Sequence, residues 1–158
     1  MDSLKASGKL SGFFPEKLLK GDNGRPLPSN GVFWSLSHKN GYAAGLVSKS
    51  PAGIDIEKIK NISDPLFQRI VSNREKKCFE INDQKNIFFR CFTAKEALLK
   101  YVGIGLAGLA DVNVIKVKDF YNLILVYQGI KYKVEHIFFD KYIASIVKDN
   151  YKIKWHID

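Results

Sequence analysis

The long helix of this chain carries charges on the face that ought to be greasy. Wound at 100° per residue, Phe88, Cys91, Phe92, Leu98, Leu99 and Val102 gather on one apolar arc. Within Cys91-Phe92-Thr93-Ala94-Lys95-Glu96-Ala97-Leu98-Leu99-Lys100, Lys95 falls in the middle of that arc and Glu96 at its edge, with Lys100 one turn beyond Glu96. A buried charge is costly unless it is paired or meets a ligand. Any fold this chain adopts must therefore cover the helix and also answer its charges.

The rest of the chain suggests what covers it. Residues 1–30 read as mainly irregular, with a short helix at Pro15–Lys20 and turns at Gly21-Asp22-Asn23-Gly24 and Pro26-Leu27-Pro28. Val32–Ser37 and Tyr42–Ser48 read as strands joined by Lys39-Asn40-Gly41, and Gly53–Glu57 alternates as a third. Ser63 is placed to cap a helix over Pro65–Val71. Ser72-Asn73-Arg74-Glu75 has the spacing of a capping box and opens a helix to about Ile81. The long helix is expected over Ile87–Val102, with Gly103 ending it. Strands are then expected at Asp111–Val117, Tyr121–Tyr127, Lys131–Phe138, Tyr142–Lys148 and Lys152–Ile157. Two sheet regions around a helical middle make the class α+β.

Composition removes several alternatives. A 46% hydrophobic, 13% aromatic chain of 158 residues can bury one core, which argues against disorder and for a single domain. No apolar run approaches the ~18 residues of a membrane span. The start, Met1-Asp2-Ser3-Leu4-Lys5, has no signal-peptide apolar region, and two cysteines without a disulfide pattern suit a reducing cytoplasm, the expected location. Cys78 and Cys91 lack the spacing of a zinc site or a disulfide framework. The net charge of +9 is spread along the chain and favours an anionic partner. No helix-turn-helix, RNP or zinc-finger signature accompanies it, so nucleic acid is not the expected partner.

Asp55 and Glu57 lie two apart on a strand and leave the same face, while Ile54 and Ile56 leave the other. With Glu96 they make three hard oxygen donors, a set that suits Mg²⁺. Each fragment alone also fits a plainer structure: a solvated strand face, and an i,i+4 ion pair between Glu96 and Lys100.

Together the fragments resemble the signatures of the 4′-phosphopantetheinyl transferases. Gly53-Ile54-Asp55-Ile56-Glu57 resembles the family's G-[IV]-D-[IV]-E strand. Phe92-Thr93-Ala94-Lys95-Glu96-Ala97-Leu98-Leu99-Lys100 resembles its [FW]-[ST]-x-K-E-[AS]-x-x-K helix. Ser35-Leu36-Ser37-His38 upstream is similar to the surfactin-synthetase-activating type. Gly24-Arg25-Pro26, Ser72-Asn73-Arg74-Glu75 and Gly103-Ile104-Gly105-Leu106 fall in the matching order.

The resemblance implies antiparallel sheets packed on helices, with pseudo-two-fold lobes. It also implies Mg²⁺-dependent transfer of 4′-phosphopantetheine from coenzyme A to a serine of an apo acyl or peptidyl carrier protein, releasing 3′,5′-ADP. On this reading Asp55, Glu57 and Glu96 hold the metal, Glu96 takes the serine proton and Lys100 steadies the pyrophosphate. Arg25, Ser37, His38, Lys95 and Lys100 bind coenzyme A. Glu75 ranks below the three metal ligands, because its capping box already accounts for it. The pathway served, fatty-acid or secondary-metabolite, is left open. Members of this type usually have two similar halves, whereas here only residues 1–52 precede Gly53. A single domain over 1–158 is therefore expected, with a shortened lobe at 1–52 and a fuller one at 53–158, as a monomer or a homodimer. Lys5, Lys9, Lys17 and Lys20 are candidates to replace cofactor-gripping residues. A non-catalytic relative that only binds coenzyme A or a carrier protein is the alternative.

Overall fold

A computed structural model describes residues 1–22 and 24–157, so Asn23 of the expected turn and the final Asp158 lie outside the described residues. At the centre is helix α4, Gln84–Val102. Asp83 caps it by accepting from the backbone N–H groups of Lys85 and Asn86, and Gly103 stops it in the left-handed conformation at φ 77°. It begins three residues before the expected Ile87 because this aspartate satisfies the first-turn donors.

The helix lies across a five-stranded antiparallel sheet of order β5-β9-β8-β7-β6. The strands are β5 (Ile54–Lys58), β6 (Asn113–Val117), β7 (Asn122–Tyr127), β8 (Ile130–Phe139) and β9 (Tyr142–Val147). Asn122-Leu123-Ile124-Leu125-Val126-Tyr127 buries every second residue, the strand period read directly as packing. Tyr142–Val147 is buried on both faces, with α4 on one side. Leu98, Leu99, Leu123, Leu125, Val134 and Ile143 meet in this core at essentially zero exposure. The fold is thus α+β with antiparallel sheets on helices, as expected.

Polar atoms pin the helix to the sheet. Thr93 donates to the carbonyl of Phe89 at 2.7 Å and stands 2.6 Å from the Ser145 hydroxyl, which in turn lies 2.7 Å from His136 Nδ1. Thr93 has spent its proton, so Ser145 donates to Thr93, and His136 donates from Nδ1 to Ser145. Burial pushes the His136 pKa down to about 3, keeping the ring neutral.

A second layer comes from the hairpin of β3 (Phe33–Lys39) and β4 (Tyr42–Ser48), packed on β5. Leu4, Val32, Trp34 and Val47 form its own small core. Leu4 belongs to α1, Asp2–Ser11, where the sequence reading expects irregular chain. This helix buries only Leu4 and Gly8, so its periodic signal is slight. The helix expected at Pro15–Lys20 does not form. Leu19–Lys20 (β1) instead pairs with Pro26–Leu27 (β2) after the chain turns back, with Gly24 donating to Gly21.

The two middle helices are α2 (Asp64–Ile70), capped by Ser63, and α3 (Asn73–Lys76). Instead of running to Ile81, α3 closes on i→i+3 bonds from Cys78 and Phe79, and Phe79 turns to pack against the Arg90 guanidinium. Lys152–Ile157 forms no strand. Trp155 anchors this tail by donating to Glu135 at 2.9 Å.

Candidate active site

Strand alternation sends Asp55 and Glu57 from β5 to the α4 side, where they pair in register with Ser145 and Ile143 of β9. Gly53 sets how close strand and helix come. A Cβ there would lie 2.0 Å from the carbonyl oxygen of Ala97 and 2.7 Å from the amide nitrogen of Tyr101. Only a residue without a side chain permits that approach.

The hairpin supplies the third wall. Ser35, Ser37 and Lys39 lie on one face of β3, and each meets β5 in turn. The Ile54 amide donates to Ser35 Oγ at 3.1 Å, Ser37 Oγ donates to Asp55 Oδ1 at 2.8 Å, and Lys39 Nζ pairs with Glu57 Oε1 at 2.9 Å. From α4, Lys100 Nζ reaches Asp55 Oδ1 at 2.8 Å and the Ile54 carbonyl at 3.1 Å. Lys100 therefore bridges helix to strand across the site, and no Glu96–Lys100 ion pair forms among the described residues.

Glu96 faces the same seam. Burial first, and then the Asp55 and Glu57 charges, push its pKa up to about 7 against the opposing pull of Lys100. Two buried carboxylate oxygens here, Asp55 Oδ2 and Glu96 Oε1, have no hydrogen-bond partner. Among the described residues, Lys39 and Lys100 are the cations that pair within this group of three carboxylates. Such an arrangement suits a divalent cation, whose charge would answer the two orphaned oxygens. As they stand, no three His, Cys, Asp or Glu side chains among the described residues converge closely enough to hold an ion. Glu57 is turned to Lys39, and Asp55 Oδ1 to Lys100 and Ser37.

The remaining residues named from sequence divide. Arg25 is exposed and donates to the carbonyl of Gly103 at 3.3 Å, at the C-terminus of α4 where a cation is favoured. A small cavity of about 150 Å³ lies between Arg25 and Lys100. His38 points outward from β3, exposed and on the opposite face from Ser37. Ser37 is buried against Asp55 and spends its proton there, not on an anion.

Lys95 corrects the sequence reading. It does not face the seam: its Nζ lies 2.8 Å from Glu75 Oε1 and donates to the Ile70 carbonyl at 2.8 Å, both in the core beneath α2 and α3. Glu75 fills its capping box by accepting from the Ser72 amide, and it also accepts from the Val114 amide, both at 2.8 Å. Lys95 and Glu75 thus neutralise each other inside the core, on the side of α4 turned from Asp55. The charge in the middle of the apolar arc is answered by protein.

Lys39 was the residue sequence reasoning passed over. The signal was present in the Ser35-x-Ser37-x-Lys39 alternation, which matches the period of Asp55-x-Glu57. A larger cavity, about 790 Å³, opens between α1, β4 and the C-terminal tail; Ile54 and Ile56 line it, and Asp55, Glu57, Glu96 and Lys100 do not.

Residues 51–154 match the model of the 4′-phosphopantetheinyl transferase superfamily, more than half of the chain. A putative 4′-phosphopantetheinyl transferase of Haemophilus influenzae is 31% identical over 118 residues, covering 69% of this chain and 49% of that protein. The 4′-phosphopantetheinyl transferase psf-1 of Bacillus pumilus is 34% identical over 92 residues, 54% of this chain and 39% of its own. The 4′-phosphopantetheinyl transferase HetI of Nostoc is 34% identical over 97 residues, covering 58% and 41%. The chain spans about half the length of these curated relatives, or less.

Proposed function

The chain belongs to the 4′-phosphopantetheinyl transferase superfamily, and on that premise we propose that it moves 4′-phosphopantetheine from coenzyme A to a serine of an apo acyl or peptidyl carrier protein. In that reaction a bond forms between the serine oxygen and the β-phosphorus. The bond from that phosphorus to the bridging oxygen breaks, and 3′,5′-ADP leaves.

The observation that most supports this reading is the pair of orphaned buried oxygens, Asp55 Oδ2 and Glu96 Oε1, on a seam that Lys100 also enters. Asp55, Glu57 and Glu96 would hold Mg²⁺, which when bound supplies charge neutralisation at the pyrophosphate. Glu96 is suited to take the serine proton, because its carboxylate faces the seam with Oε1 left without a protein hydrogen bond. Lys100 steadies charge on the phosphates, and phosphoryl transfer asks for little beyond such positioning. Arg25, beside the small cavity that Lys100 also lines, would bind coenzyme A phosphates, whereas His38, on the outer face of β3, could reach them only from outside the seam. Ser37 orients Asp55 by donating to it. Residues 1–52 and 53–158 act as two lobes of one unit, joined by the Ser35–Ser37–Lys39 seam. Carriers present acidic recognition surfaces on this view, to which a chain of net charge +9 is complementary.

The test is direct. Incubation with coenzyme A, Mg²⁺ and a panel of apo carrier proteins should add one phosphopantetheine per carrier, read by mass spectrometry, with 3′,5′-ADP as co-product. Coenzyme A binding by calorimetry without product on any carrier would make it a binding relative instead.

A further inference from the structure

Lys39 and Lys100 each hold a carboxylate that a divalent ion in this seam would also need. Each places its ammonium against one carboxylate, Lys39 on Glu57 at 2.9 Å and Lys100 on Asp55 at 2.8 Å. The two are not equivalent. Lys100 is anchored by a second bond to the Ile54 carbonyl, and its side chain is 28% exposed. Among the described residues Glu57 is the one partner of the Lys39 ammonium, and the lysine side chain is 39% exposed at the end of β3, beside the Asn40-Gly41 turn. It is therefore the group that can leave at least cost, since a partly exposed ion pair is worth little and its stem is flexible.

We propose that Lys39 is a tethered counter-cation: it holds Glu57 while the site lacks a divalent ion, is displaced when the ion enters, and then meets the anionic substrate. The inference rests on the metal-site reading of Asp55, Glu57 and Glu96 given above. Its consequence is thermodynamic. The ion must compete with Lys39 for Glu57, so it binds more weakly than three carboxylates alone would allow. A polyanion arriving with the ion gives the displaced ammonium a new partner, so each ligand tightens the other by the same factor. Lys39 thus acts as a positioning residue that couples the two binding events.

The experiment measures Mn²⁺ binding to the full chain by electron paramagnetic resonance at low ionic strength, with and without 3′,5′-ADP. Proteins compared are the unmodified chain, Lys39→Met, Lys39→Arg and Asp55→Asn. Without nucleotide, Lys39→Met should bind Mn²⁺ roughly three- to tenfold more tightly, the scale of losing one partly screened competing charge. Nucleotide should tighten Mn²⁺ binding in the unmodified chain and in Lys39→Arg, and distinctly less in Lys39→Met. Equal or weaker Mn²⁺ affinity in Lys39→Met, with Asp55→Asn still abolishing binding, overturns the role of Lys39 and leaves the metal site standing. Absence of Mn²⁺ binding in every protein overturns the metal site and this inference with it. Near-identical thermal unfolding of Lys39→Met and the unmodified chain confirms that the comparison is between folded proteins.

Discussion

Replacing Lys95 by methionine separates the two roles a lysine in this helix can have. Its side chain is 5% exposed, and its ammonium lies 2.8 Å from the carboxylate of Glu75, whose side chain is 2% exposed. Methionine keeps most of the stem and removes the charge, which strands a carboxylate in the core. Breaking a buried pair in this way costs about 3–5 kcal/mol. Glu75 keeps the amides of Ser72 and Val114, so the loss should fall at the lower end, near 3 kcal/mol. For a domain of this size that is roughly a 6–12 °C fall in Tm. Urea unfolding followed by far-ultraviolet circular dichroism measures it. The double variant Glu75→Gln with Lys95→Met should recover part of the loss: no bare charge remains, but the glutamine oxygen can accept from only one of the Ser72 and Val114 amides that Glu75 serves. In the folded fraction of Lys95→Met, coenzyme A affinity should stay unchanged. A loss below about 1 kcal/mol, together with weakened coenzyme A binding, would refute the buried pair and return Lys95 to the phosphates.

Three further outcomes are expected. Glu96→Gln should lower transfer at least about a hundredfold, while urea unfolding at pH 8 shows a fold as stable or more so, since it removes a carboxylate strained by burial and by Asp55. Gly53→Ala should cost about 1–3 kcal/mol in urea unfolding and lower transfer as well, because its methyl meets the backbone of Ala97 and Tyr101. The third concerns pH. Glu96, raised from 4.5 to about 7, contributes stability that is full below pH 4.5 and lost as pH rises through 7, whereas His136, lowered from 6.5 to about 3, contributes stability present above pH 6.5 and lost as pH falls towards 3. The slopes oppose each other between pH 4.5 and 6.5, so in metal-free urea midpoints His136→Gln should expose the decline with rising pH and Glu96→Gln the decline with falling pH; identical profiles in the two variants would sink the assignment.

Local rules carried most of what could be read from the chain. Ser63, the Ser72–Glu75 capping box and Gly103 each act within one helical turn, and each stands where its spacing placed it. Strand β5 declares itself by the apolar–charged alternation of Ile54-Asp55-Ile56-Glu57 for the same reason. Helix α1 escaped because it turns only Leu4 and Gly8 inward, too little apolar surface to write a period into ten residues. Leu19–Lys20 escaped because its partner is set by a turn that brings Pro26–Leu27 back, and no property of the two residues themselves announces it.

The charges of α4 show where one-dimensional reading gives out. Position on the arc indicated that Lys95 would be buried, and it is; position could not say by what. Glu75 had a sufficient local role in its capping box, which concealed that its other oxygen faces the core. On the opposite side of the helix the same limit applies to Asp55 and Glu57. Their shared face follows from strand period alone, but that Lys39 and Lys100 would meet them depends on the register of three separate elements. Gly53 fixes the distance between two of those elements, and Ser35 and Ser37 fix the third by bonds to β5. The residues that carry charge were therefore visible singly, whereas their pairing is a property of packing. Two lysines in one helix, one turn and a residue apart, consequently have opposite fates: Lys95 completes a core, and Lys100 enters the seam where the chemistry is proposed to occur.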